Sequence, residues 1–168
     1  MQSFAEAGVP LIATLPLQNL ERLAQESSGR QSDLIVNWQA VAELRAGSTG
    51  LMDIWLHLTA GTCLPLTCQR CMGAVQTSLQ VDQWYRFVAT EDIAMAEDDA
   101  SEEDLLVLTP QFDLLAVLED ELLMALPLVP MHDECPNPPA FSAGVIDLPG
   151  NMEGKPNPFA ALARLKKN

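Results

Sequence analysis

Two pairs of metal-grade donors stand out in the chain, Cys68-Gln-Arg-Cys71 and His132-Asp-Glu-Cys135, each with its members three positions apart. Two thiolates at that spacing on a turn can face one ion, and a structural zinc site takes four ligands of this kind. A lone Cys-x-x-Cys is a weak signal; the second pair, in a polar, proline-rich stretch, completes the ligand count. Cys63 lies near enough in sequence to stand in for His132. Three chemistries fit these residues: a structural zinc centre, reduced and partly buried thiols without metal, and a redox pair in which Arg70 favours the thiolate. The strand–helix setting of a thioredoxin-type site is missing around the pair, which falls on a turn between two predicted strands.

Other chemistry finds no residues to carry it. There is no phosphate-binding glycine loop and no nucleophile elbow. Glu119, Asp120 and Glu121 point in different directions around a helix, so they make no paired-carboxylate site. His57 falls on the polar side of a strand, where a solvated role is ordinary. The interleaved aromatic and basic residues of an RNA-binding sheet are not visible along the chain. No catalytic residue is assigned, and the chain reads as a binding protein rather than an enzyme.

The elements that must position the Cys and His residues follow from hydrophobic period. Leu17, Leu20, Leu23 and Ala24 predict a short amphipathic helix over 17–26, closed by Ser27-Ser28-Gly29. Leu34, Val36, Trp38, Ala40, Ala42 and Leu44 alternate with polar residues, as do Met52, Ile54, Leu56 and Leu58, and again Val75, Thr77, Leu79, Val81, Tyr85 and Phe87. Period two predicts half-buried strands, and short connections favour an antiparallel meander. Residues 91–104 hold eight acids and no base, predicting an acidic loop, with Leu105–Leu108 returning as a short strand. Asp113 is a candidate N-cap for a helix running to about Leu126 and stopped by Pro127; its apolar face, Leu114, Leu115, Leu118, Leu122, Ala125 and Leu126, should cover the sheet. Five of the thirteen residues from Pro127 to Pro139 are proline, which predicts extended loop. The fold class is α+β: an antiparallel sheet covered by helices, forming one domain over 1–154, with a basic C-terminal tail over 155–168.

Charge narrows the partners. The net charge of −14 is concentrated in residues 47–154, where eighteen acids face only Arg70 and Arg86. Such a field repels phosphate backbones and attracts basic proteins, although it also serves plain solubility. The tail carries Lys155, Arg164, Lys166 and Lys167, and its short helix needs a surface on which to bury Phe159 and Leu162. On the helix near 113–126, Val117 and Met124 flank Asp120, and these three join Phe159 and Leu162 as candidate partner contacts. Pro10 and Pro16 interrupt the first apolar stretches, and none reaches the ~18 apolar residues of a membrane span. The expected location is the cytoplasm, where four cysteines are thiols or metal ligands before they are disulfides.

Several blocks occur in one order: Cys68-Gln-Arg-Cys71 after a strand, Asp113-Leu-Leu-Ala-Val-Leu-Glu-Asp-Glu-Leu-Leu-Met-Ala-Leu-Pro127, Val129-Pro-Met-His-Asp133, and Lys155-Pro-Asn-Pro-Phe-Ala160. Together they resemble the YceD family, named for large ribosomal RNA subunit accumulation; residues 1–60 match only in general character. The resemblance implies support of synthesis, processing or stability of 23S ribosomal RNA, in company with a large-subunit ribosomal protein. It carries over no catalytic residue. Many relatives have a second Cys-rich cluster after the helix, where this chain has His132 and Cys135. The expected partner is a basic ribosomal protein or a large-subunit precursor, with ribosomal RNA reached indirectly. Two rivals stand beside this reading: an acidic holding module for one basic protein, and a thiol-dependent enzyme.

Overall fold

The computed structural model describes residues 1–29, 33–47 and 50–137. Helix α1 (Gln2–Ala7), strand β1 (Leu11–Pro16) and helix α2 (Glu21–Glu26) precede three long strands, β2 (Ile35–Ala46), β3 (Met52–Thr67) and β4 (Ala74–Val88). Helix α3 (Glu91–Glu97), strand β5 (Asp104–Val107) and helix α4 (Leu114–Met124) complete the described part. The strands lie in sequence order in one sheet, antiparallel from β1 to β4, with β5 parallel to β4. This is the α+β architecture expected. Among the described residues no helix is long and apolar enough to cross a membrane.

Register decides which face becomes core. Ala40 pairs with Leu58, Ala42 with Leu56, Leu56 with Tyr85 and Ala60 with Val81, so the apolar members of three strands fall on one side. Against them pack Leu17 and Leu20 from the turn before α2, Leu23 from α2, and Leu118 and Leu122 from α4, all 2 % exposed or less. Each such side chain contributes roughly 1.5–3 kcal/mol on leaving water. The predicted capping of α4 is present: Asp113 Oδ1 accepts from the amides of Leu115 at 3.0 Å and Ala116 at 3.1 Å. Glu119, buried in α4, does the corresponding work for α2, accepting from the backbone N–H of Arg22 at 2.8 Å and of Leu23 at 3.2 Å. A carboxylate at those amides complements the helix N-terminus.

Besides helix α1, which hydrophobic period does not predict, and α2, which begins at Glu21 after a separate turn over Leu17–Asn19, four features depart from the sequence reading. Strand β1 occupies a proline-bounded stretch, as an edge strand whose outer positions are exposed. Strand β3 continues through Gly61 and Pro65 to Thr67. Pro65 is tolerated because its carbonyl faces Ser28, accepting from that residue's N–H at 2.7 Å, so its missing N–H breaks no ladder bond to β4. The acidic stretch is helical over Glu91–Glu97, capped by the Thr90 hydroxyl, which accepts from the Ile93 amide. Arg86 then gathers it, with Nη1 on Glu97 at 2.8 Å, Nε on Glu103 at 2.6 Å and Nη2 on the Ser101 hydroxyl at 3.0 Å. That crossover lets β5 return parallel to β4 instead of continuing the meander. The 155–168 tail lies outside the described residues.

Candidate metal centre

The β3–β4 connection places Cys68 and Cys71 on one tight turn. The Cys68 amide donates to the Gly73 carbonyl at 2.8 Å and the Met72 amide to the Cys68 carbonyl at 2.9 Å, with Met72 in the left-handed region at φ 59°. The loop after α4 is tied onto this turn. The Gln69 amide donates to the Pro130 carbonyl at 2.9 Å, and Arg70 Nη2 donates to the His132 carbonyl at 2.6 Å. These contacts bring the two predicted pairs together: the donor atoms of Cys68, Cys71, His132 and Cys135 all lie within 4.8 Å of one another.

Their separations have the dimensions of a coordination shell. The sulfurs of Cys68 and Cys135 are 3.8 Å apart, and Cys71 Sγ is 3.5 Å from His132 Nδ1. A zinc tetrahedron with Zn–S near 2.3 Å and Zn–N near 2.0–2.1 Å has S···S edges of about 3.8 Å and S···N edges of about 3.5 Å. A disulfide between Cys68 and Cys135 would need sulfurs about 2.05 Å apart, so the pair is not bonded. His132 Nε2 lies 3.0 Å from the Ala74 carbonyl. That nitrogen must carry the proton, which leaves the Nδ1 lone pair directed to the cluster; metal-binding imidazoles are oriented in this way.

The thiols are tuned in opposite directions. Burial pushes Cys68 up, but backbone N–H groups of Cys71, His132 and Arg70, joined by the His132 side chain, outweigh it and hold the thiol down at about 5. Cys135 is pushed up to about 11 by burial and by its neighbours Cys71 and Cys68, which compete for the same negative charge. A divalent cation among them removes that competition. The donor set fits zinc, which when bound would fasten the loop to the turn. Four protein ligands leave no open position, the arrangement of structural rather than catalytic sites.

Cys63 is not part of the cluster; it is exposed on β3, 3.6 Å from Gln76 Oε1. Arg70 lends its backbone N–H to Cys68, while its guanidinium spans to the loop. The auxiliary groups, Ala74 and Pro130, act through backbone carbonyls and leave no trace in residue type. Of the candidate partner contacts, Asp120 accepts from Arg22 Nη1 at 2.6 Å on the surface, Val117 packs half-buried against the core, and Met124 is 79 % exposed. Phe159 and Leu162 lie outside the described residues.

Fold and site define a small α+β protein whose sheet is extended by a closed Cys/His knot. The family model described as "Large ribosomal RNA subunit accumulation protein YceD" matches residues 56–166, and the chain belongs to that family. A protein of Haemophilus influenzae bearing the same description is 38% identical over 110 residues, covering 61% of this chain and 59% of that protein. The match therefore spans less than two thirds of that relative. No solved structure matches.

Proposed function

We propose that this chain supports accumulation of the 23S ribosomal RNA of the large subunit, in the cytoplasm, by binding rather than by catalysis. Family membership is the observation that carries this reading. The cluster of Cys68, Cys71, His132 and Cys135 serves as a structural zinc centre, supported by its closed set of four donors at tetrahedral spacing.

Ribosomal RNA is reached through a basic protein, a ribosomal protein of the large subunit or a precursor containing one. The support is charge: between residues 47 and 154 only Arg70 and Arg86 oppose eighteen acids. Both arginines already have partners, the His132 carbonyl for one, Glu97 and Glu103 for the other. Phosphate neutralisation by Lys and Arg supplies most non-specific RNA affinity, and this surface has little to offer it. Gel-shift titrations with naked 23S rRNA fragments should show weak, salt-sensitive binding, and a stable shift only after large-subunit proteins are added. Tight, sequence-specific binding to naked RNA would mean that no bridging protein is needed.

A further inference from the structure

The face of the sheet that the core does not use carries a built surface. Arg45 lies over both Trp55 and Trp84, its guanidinium carbon 4.4 and 4.1 Å from the ring centroids. His57 stacks flat on Trp84, centroids 4.2 Å apart and planes 2° from parallel, with Nε2 2.6 Å from Asp82. Register assembles the cluster: His57 is the cross-strand partner of Trp84, and Arg45 reaches them from β2. Beside this shelf a groove of about 960 Å³ crosses the sheet over Asn37, Gln39, Thr59 and Gln80. Gly61 keeps its floor low, since a Cβ there would come within 3.1 Å of the Gln80 amide. Helix α3 and the segment after it reach this face at Arg86, whereas Asn37, Gln80 and Asp82 along the groove stay exposed.

Three chemical properties of the groove select its occupant. Its charged lining, among the described residues, consists of Asp33 and Asp82. Among the described residues the arginines of this face are already neutralised, Arg45 by Glu43 and Arg86 by Glu97 and Glu103. The floor offers neutral amides able to pair with a peptide backbone, and the half-buried rings of Trp55 and Trp84, already stacked against Arg45 and His57, leave only part of their surface to aliphatic stems. We propose that this groove is a docking site for an extended, arginine- and lysine-rich polypeptide segment. Carboxylates meet its cations and the Asn37, Gln39 and Gln80 side chains hydrogen-bond its backbone. A nucleic acid strand fits the same shelf poorly, because its phosphates would face Asp33 and Asp82 with no free cation among the described residues lining the groove to offset them. The inference rests on, and deepens, the reading of a factor that works through a basic protein.

The test is an NMR titration of the full-length ¹⁵N-labelled chain with a nine-residue peptide alternating Arg and Thr, and separately with a nine-nucleotide oligouridylate. The peptide is expected to shift the amides of Gln39, Thr59, Gly61, Gln80 and Asp82. Gln80→Lys and Asp82→Lys should each weaken it by about fivefold, while Gln80→Glu should tighten it, a pattern that charge complementarity produces and loss of packing does not. Unchanged core resonances report that the variants fold. Shifts confined to the 91–104 acids, equal affinity in all three variants, or oligouridylate occupying the groove in place of the peptide would each overturn the proposal. So would release of the chain's own 155–168 resonances by Asp82→Lys without peptide, since the occupant would then be that tail. No ribosomal RNA enters this experiment, so its failure leaves the rRNA-accumulation reading to be judged separately in cells.

Discussion

Protein purified without chelator is expected to carry about one zinc per chain, and Cys68→Ser to carry essentially none. Cys68 is fully buried, and three backbone amides and the His132 side chain stabilise its negative charge. A serine there keeps the volume but supplies a far weaker metal ligand. Without the ion, the loop that contributes His132 and Cys135 is held to the β3–β4 turn by hydrogen bonds such as Arg70 to the His132 carbonyl. Loss of a structural metal belongs to the mechanisms with large effects, so a destabilisation of roughly 3 kcal/mol is expected. In a protein of this size that is a fall in Tm of roughly 10 °C. His132→Cys serves as the companion variant: it rebuilds four ligands as Cys₄ and should retain zinc. Metal analysis and thermal unfolding of the three proteins decide the matter, and metal-free wild type under reducing conditions would leave a cluster of free thiols.

Arg86→Met should cost about 3 kcal/mol, because breaking a largely buried charge pair by removing one partner leaves the other uncompensated. The Arg86 and Glu103 side chains are each only 15% exposed, and the same guanidinium holds Glu97 and Ser101. Its removal releases the crossover that returns β5 to the sheet. The effect has a pH signature. Burial pushes the Glu103 carboxyl up, yet its bond to Arg86 and nearby backbone N–H groups bring the net shift below the ordinary 4.5. A carboxyl depressed in the folded state contributes its full stabilisation above the unfolded value and loses it as pH falls through the folded one. The gap between wild type and Arg86→Met should be constant at neutral pH and narrow below about pH 4.5. Equal acid sensitivity in both proteins would assign the effect to other carboxylates.

Period-two alternation located β2 and β4 and the first half of β3, and the Asp113 cap with its leucine stripe located α4, because each signal is carried by contiguous residues. The remainder of β3 was hidden by Gly61 and Pro65, whose fit depends on what lies across the strand: Gln80 for one, Ser28 for the other. The parallel β5 depends on Arg86 organising acids eleven to seventeen positions away, a tertiary effect that local composition opposes. At the candidate metal centre the four clustered donors were legible from spacing. Their partners on Pro130 and Ala74 were not, being backbone groups. The aromatic shelf is the clearest omission: Arg45, Trp55, His57 and Trp84 sit on three strands, and only the pairing register makes them neighbours.

On the proposed reading the acidic face and the Cys/His cluster would do separate work: the face would take a basic protein, and a zinc held by Cys68, Cys71, His132 and Cys135 would fix the segment leading out of α4. An acidic holding module for a single ribosomal protein would use the same groove, and differs in predicting co-purification with that protein without rRNA, the effect on RNA being secondary. A thiol-dependent enzyme would instead show turnover abolished by Cys71→Ser.

Support of 23S rRNA accumulation is decided by the ratio of 23S to 16S ribosomal RNA in growing cells that lack this chain, compared with the same cells expressing it. The ratio is expected to fall on deletion, to return with the wild-type chain, and to stay low with Cys68→Ser. An unchanged ratio after deletion, with growth and total RNA also unchanged, would contradict it.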